Sequence, residues 1–496
     1  MAYVVAERPP AIVIGSGFGG LAAAIRLGAR GYRVTLLEKL DKPGGRAYVY
    51  AQDGFTFDAG PTIVTAPFLL EELWSLCERR MADDIDLRAI TPYYRIRFDD
   101  GSHFDYSGDH AAMKAEIARF DARDIAGYER YLEASATLYD IGFDKLLTVS
   151  FDSFGKMLRT VPDLFRGQFF RSVHGLVARH FRHPKLRMVF SFHPLLIGGN
   201  PFTATAVYAL IAQLERRHGI HFAMGGTGSL VKGLVSLIEG QGGELRLNTP
   251  VSRICVEDRR AVGVELSTGE RLMANVVVSN ADAAATYRWL LPDAVRDRWT
   301  DSKLDRARYS MSLFVWYFGT GRRYPDVPHH MILLGPRYRS LLADIFDHKV
   351  LADDFSLYLH RPTATDSSLA PAGCDAFYVL SPVPHLDSGV DWTEAAEGYR
   401  ARIARYLAAT VLPGLEQQVV SSRLLTPMDF RERLFSVKGA AFSLEPVLTQ
   451  TAWFRPHNRS EDVEGLYLVG AGTHPGAGMP GVISSAKVLD EIVPDP

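Results

Sequence analysis

Between the apolar run Ala11–Ile14 and an alanine- and leucine-rich stretch from Leu21 to Arg30 lies Gly15-Ser16-Gly17-Phe18-Gly19-Gly20. A glycine-rich turn in that place joins a buried strand to a helix, and Gly31 supplies the helix stop. The next apolar run, Arg33–Leu37, reads as a second strand. Strand, helix and strand within forty residues make a βαβ unit, whose right-handed crossover implies a parallel, doubly wound sheet. The expected fold class is therefore α/β.

Each glycine of the turn has a separate reason. Gly15 permits the tight bend, Gly17 brings the backbone against a pyrophosphate, and Gly20 lets helix and strand pack closely, with Phe18 and Gly19 opening the helix. The helix N-terminus then faces the phosphates. Glu38, beside Lys39 at the end of the second strand, is placed to accept hydrogen bonds from both ribose hydroxyls of an adenosine and to repel a 2′-phosphate. NAD and FAD both satisfy this Rossmann-like pattern. The turn Gly44-Gly45-Arg46 decides for FAD, because it can wrap the far side of a pyrophosphate while the guanidinium neutralises it. Only one complete copy of the fingerprint is present, so FAD is the sole tightly bound dinucleotide expected.

These residues resemble the FAD-dependent amine oxidase and phytoene desaturase superfamily. The closing segment Leu466–Ile483, with five glycines from Gly470 to Gly481, is similar to the C-terminal signature of bacterial carotenoid desaturases. Gly225–Gly228, Ser279–Asp282, Phe442–Pro446 and Trp453–Asn458 extend the resemblance over nearly the whole chain. It implies that Gly60, Pro61 and Thr62 run past the flavin, that Val251 meets the adenine through its backbone, and that Gly472, Met479, Gly481 and Val482 lie against the ring. A helix starting there would aim its positive end at the flavin and favour the reduced, anionic form. The resemblance further implies removal of a hydride and a proton from adjacent carbons of phytoene, in repeated rounds, to give lycopene or neurosporene, with electrons passed to a quinone or oxygen. His474, Glu445 and Asp58 are the candidate bases, although positioning and water exclusion can suffice when the cofactor does the hard step.

Rival readings are another carotenoid desaturase, acting for instance on diapophytoene, an amine or protoporphyrinogen oxidase, and a non-catalytic prenyl-binding chaperone. Nothing aromatic and no thiol lies between Gly470 and Gly481, which disfavours an amine oxidase site, and Glu38 with Arg46 disfavours the chaperone.

The organisation expected is discontinuous: residues 1–90, 225–290 and 445–496 form the FAD-binding domain, 91–140 and 291–444 a mixed-sheet substrate domain, and 141–224 a helical insertion. From Lys156 to Arg182 six Lys or Arg face one acid, Asp163, interleaved with Leu158, Leu164, Phe165, Phe169, Phe170, Val173, Leu176 and Val177. Such a stretch can dock on a bilayer, so a cytoplasmic protein peripherally bound to the cell membrane is expected. Lys156 and Arg159 could hold a quinone or an acidic partner, a solvated face being the plainer assignment. A net charge of -2 gives no field for nucleic acid. Three scattered cysteines exclude a disulfide framework, and no H-E-x-x-H, Walker A or G-x-S-x-G segment occurs. No metal site is expected, the adjacent His329 and His330 being unable to share a strand face easily.

Overall fold

A computed structural model describes residues 8–496. The first apolar run forms the strand Pro10–Ile14, and the glycine turn leads directly into the helix Phe18–Ala29. The strand lies at the centre of a five-stranded parallel sheet ordered Leu466–Leu468, Val276–Ser279, Pro10–Ile14, Arg33–Leu37 and Glu244–Arg246. Ile14 pairs with Ser279 on one side and Leu37 on the other, so these strand ends stop in line. Their carboxyl ends are where an open α/β sheet presents its ligand.

The helix buries Leu21, Ala22, Ala23, Ala24 and Ile25 completely. Alanines on that face let it approach the sheet, with Val34 and Leu36 below and Leu234, Leu237 and Ile483 from the helices Thr227–Gly240 and Met479–Lys487 beside it. Each large aliphatic side chain buried this way contributes about 1.5–3 kcal/mol. A small antiparallel sheet, Val251–Glu257, Arg260–Leu266 and Arg271–Met273, adjoins this layer.

The second body is a seven-stranded mixed sheet running from Val419–Leu425 through Ser312–Thr320, Asp375–Val383, Leu357–His360, His330–Leu333 and Tyr94–Arg97 to His103–Tyr106. Its long strand Ser312–Thr320 is buried on both faces, and the alternation sorts its side chains. Phe314, Trp316 and Phe318 pack under the helix Trp392–Thr410 against Tyr399, Ile403 and Leu407. Leu313, Val315 and Tyr317 turn to the opposite side, toward a helical layer containing Ile125–Tyr139, Val173–Val177, Pro184–Ser191 and Leu210–His218.

The stretch from Lys156 to Arg182 is not one amphipathic helix. A helix covers Phe154–Arg166, a turn follows, and a second short helix covers Val173–Val177. Its apolar residues divide: Phe169, Val173, Leu176 and Val177 enter the core, whereas Leu158, Phe165 and Phe170, with Phe154, stay exposed. Ser153 caps the first helix by accepting from the Lys156 backbone N–H. No helix among the described residues is long and apolar enough to cross a membrane.

Candidate active site

One continuous cavity of about 710 Å³ runs from the glycine turn between the two sheets into the helical layer. At its nucleotide end Gly15 has φ +90°, a conformation open to glycine, and a Cβ on Gly20 would overlap the Gly15 carbonyl oxygen. The first-turn N–H groups of Phe18–Ala29 receive no side-chain cap. Left in that state, they are donors for an anion.

Glu38 is buried and lines the cavity. Its Oε2 accepts from the Ser16 N–H at 2.9 Å and the Ser16 hydroxyl at 2.6 Å, and its Oε1 from the Leu40 N–H at 2.9 Å. The carboxylate is thus oriented before any ligand arrives. Lys39 also borders the cavity, but its ammonium donates to the Glu432 carbonyl at 2.7 Å and sits 5.5 Å over the Phe435 ring. Gly45 and Arg46 line the opposite wall. The Arg46 guanidinium donates to the Ala441 carbonyl at 2.7 Å and to the Ser436 hydroxyl at 2.8 Å, which ties the turn to the segment before the C-terminal signature.

Gly60, Pro61 and Thr62 continue the wall, and Thr62 shares a 2.9 Å hydrogen bond with the Tyr378 hydroxyl. Val251 borders the cavity together with Thr249, Pro250 and Ser267. Met479, Gly481 and Val482 line it at the start of the helix Met479–Lys487, whose N-terminus likewise has no side-chain cap. Gly472 does not face the cavity. It packs against Ala283 on the short helix behind it, where a Cβ would come within 2.7 Å of the Ala283 Cβ. A side chain there would crowd Ala283 and Ser443.

Asn280 was not among the expected site residues, yet it organises several of them. A Cβ on Gly17 would stand 2.8 Å from its amide nitrogen, and Cβ atoms on Gly19 and Gly470 would meet its amide oxygen at 2.5 and 2.8 Å. This side chain joins the N-terminal and C-terminal glycine segments. Its signal was the pair of polar residues, Asn280 and Asp282, just after the apolar strand Val276–Ser279.

The three candidate bases separate. Asp58 lies outside the cavity wall, accepts from the Thr227 N–H at 3.0 Å at the start of Thr227–Gly240, and is pushed up to about 6 by burial. Glu445 is buried between Arg308 Nε at 2.7 Å and the Thr203 hydroxyl at 2.8 Å, also away from the cavity. His474 does border the cavity, but its Nε2 lies 2.9 Å from the Leu146 carbonyl and donates to it, and its ring meets Phe151 edge-on at 4.8 Å. Burial drives its pKa down to about 3, so the imidazole is neutral.

His329 and His330 do come together, with ring centroids 4.4 Å apart and His360 at 4.8 and 5.1 Å. His330 and His360 are paired across adjacent antiparallel strands, while His329 precedes its strand and escapes the alternation. One nitrogen from each ring lies within 4.8 Å of the others. Burial lowers the pKa of all three, to about 3 at His329, where Arg361 depresses it further, and among the described residues no carboxylate joins the set.

Two uncapped helix N-termini, an oriented carboxylate and a glycine wall around one cavity fit an adenine dinucleotide joined to a flat ring. The fold and site define a flavin-dependent oxidoreductase. The profile of the family described as flavin containing amine oxidoreductase matches residues 18–488. The lycopene-forming phytoene desaturase of Pantoea ananas is 50% identical over 482 residues, covering 96% of this chain and 97% of that protein. The neurosporene-forming phytoene desaturase of Cereibacter sphaeroides is 49% identical over 490 residues, covering 98% and 94%. Among solved structures, an oxidoreductase from Methanosarcina mazei shares the fold at a TM-score of 0.66 and 16% identity, covering 97% of this chain and 100% of that one. The chain belongs to the flavin-containing amine oxidoreductases and, within them, to the bacterial-type phytoene desaturases. FAD is its cofactor.

Proposed function

We propose that this chain is a phytoene desaturase, introducing successive double bonds into phytoene to give lycopene or neurosporene. The observation that carries the reading is the continuity of the cavity: it passes from the dinucleotide motifs to a wall of Phe169, Phe192, Leu195, Leu196, Val207 and Leu210. Such a wall suits a long isoprenoid and offers few polar groups to anything else.

When bound, FAD supplies the hydride acceptor. Residues of the chain do the rest. Glu38, the Gly15–Gly20 turn, Arg46 and Val251 would hold the adenosine and pyrophosphate, and Gly60–Thr62 with Met479–Val482 would flank the ring. The positive end of Met479–Lys487 favours negative charge at that place. The apolar wall holds the isoprenoid in register and keeps water away from the reacting carbons. Asp58 and Glu445, held in structural hydrogen bonds, take no proton from the substrate.

Membrane docking is part of the same reading. Phe154, Leu158, Phe165 and Phe170 are exposed together with Phe454, and Trp453 meets Phe154 at 6.1 Å. An exposed aromatic surface beside basic residues suits contact with lipid, where the substrate resides. The electrons then pass to a quinone or to oxygen. The division into an FAD domain of residues 1–90, 225–290 and 445–496, a substrate domain and a helical insertion at 141–224 belongs to this proposal.

The test is expression in a phytoene-accumulating bacterium with pigment chromatography and absorption spectra. Red lycopene or yellow neurosporene supports the reading and separates its two products. Colourless phytoene left unchanged beside flavin-loaded protein overturns it.

A further inference from the structure

Three carboxylates border the cavity: Glu38, Asp282 and Glu215. Glu38 is engaged with Ser16, as described. Asp282 caps the short helix at Ala283, accepting from the Ala284 N–H at 2.9 Å, and lies toward Arg46. Glu215 has no such explanation. It belongs to the helix Leu210–His218, in the part of the wall built from Leu210, Ile211 and Leu214.

Glu215 is fully buried. The Tyr94 hydroxyl donates to its Oε1 at 2.7 Å, and His193 Nε2 lies 3.2 Å from its Oε2. Among the described residues no lysine or arginine pairs with it, His193 being its one neighbour of that kind. A carboxylate is kept in such a place only when it is hydrogen-bonded, as Glu215 is by Tyr94. Its field reaches its surroundings. The hydroxyls of Tyr94, Tyr106 and Tyr131 are held above the usual phenol range, first by burial and next by the charge of Glu215.

A hydrocarbon losing a hydride becomes positive where no water can solvate it, and only fixed protein charge and dipoles can offset this. The charge is shared along the conjugated carbons, so a negative group some distance from the breaking bond still acts on it. We propose that Glu215, held by Tyr94 and His193, is the counter-charge that stabilises the cation developing on the isoprenoid. It rests on the desaturase reading above. Glu215 borders the cavity beside Tyr94 and acts on the cation through space. It forms no bond to the substrate.

The test compares flavin-loaded wild type, Glu215→Gln and Glu215→Asp on phytoene in liposomes. Glutamine matches the size and can still accept from Tyr94. The expected result is a fall in kcat of about 100-fold for E215Q, the scale of losing one transition-state partner. KM, flavin content and Tm stay near wild type, the deuterium isotope effect on the transferred hydrogen rises, and E215D recovers part of the loss. A merely structural role would move Tm and KM instead. E215Q turning over within about 3-fold of wild type overturns the proposal.

A second measurement needs no variant. A long-chain isoprenoid amine, positively charged at neutral pH, is compared with its uncharged ether as an inhibitor of the wild type. At least tenfold tighter inhibition by the amine is expected, and equal inhibition overturns the proposal. Wild type that leaves phytoene unchanged defeats the desaturase reading itself, whereas active wild type with an undiminished E215Q defeats only this inference.

Discussion

Phe169 and Phe170 are consecutive residues that face opposite ways: Phe169 is 4% exposed and borders the cavity, while Phe170 is 61% exposed at the outer surface. At this point one aromatic side chain turns to the cavity and the next to the exterior. With Phe154, Leu158 and Phe165 also exposed, the cavity wall and the aromatic surface are two sides of one segment.

Replacing Phe165 and Phe170 by Glu should therefore weaken binding to anionic phospholipid vesicles by at least about tenfold, since each buried Phe contributes about 1.5–3 kcal/mol. Both side chains are exposed, so Tm and flavin content should stay the same. Co-sedimentation measures the binding, and unchanged sedimentation of the double variant would falsify the docking surface.

Gly20→Ala and Gly481→Ala should both lower flavin retention. The Gly20 methyl would meet the Gly15 carbonyl oxygen and the Gly481 methyl the Gly476 carbonyl oxygen, the latter at 2.6 Å, and backbone cannot step aside as a side chain can. A cost of about 1–3 kcal/mol at each position is expected. The ratio of flavin to protein absorbance after gel filtration reports it, and full retention in both variants would remove the glycine cradle from the account.

Asp58 gives a pH signature of stability. Burial raises its folded pKa from 3.8 to about 6, so the folded state holds a proton that the unfolded state has released between these values. Its stabilising contribution is complete below 3.8 and is lost as pH rises through about 6, a change of about 3 kcal/mol. Asp58→Asn should keep the hydrogen bond from Thr227, keep activity, and flatten this part of the Tm-versus-pH curve. A variant curve parallel to wild type, or loss of turnover with flavin still bound, contradicts the assignment of Asp58 as a helix cap.

His474 should leave no mark on the pH–rate profile between pH 5 and 8, because the ring is neutral throughout that range. Its worth is structural. His474→Ala leaves the Leu146 carbonyl without its donor and opens space beside Phe151, at a cost of about 2–4 kcal/mol. Chemical denaturation measures this, and a titrating limb present in wild type but absent from His474→Gln would return the histidine to the chemistry.

What could be read from the chain alone was what lies close together along it. The strand, glycine turn and helix from Ala11 to Arg30 obey local rules of spacing, and the strand Arg33–Leu37 ends where Glu38 was expected to face the turn. Relationships across the chain had no such signal. Tyr94 and Glu215 are 121 positions apart and meet because the strand Tyr94–Arg97 packs near the helix Leu210–His218. His329, His330 and His360 converge through strand pairing that composition does not encode. Which apolar residues of the segment from Lys156 to Arg182 face outward was not legible either, because a turn at Gly167 sends some inward and leaves others outside. Gly472 shows that a glycine inside a ligand-binding signature can serve the scaffold.

The parallel sheet places Pro10–Ile14 beside Val276–Ser279, which in turn pairs with Leu466–Leu468. The glycine turn and the strand and helix that complete its pocket are far apart along the chain, so the N-terminal region on its own holds half a nucleotide cradle, without Asn280 and Gly470. A chain cut before Leu466 would lack the strand beside Val276–Ser279 and the helix that opens at Met479, and is expected to retain no flavin.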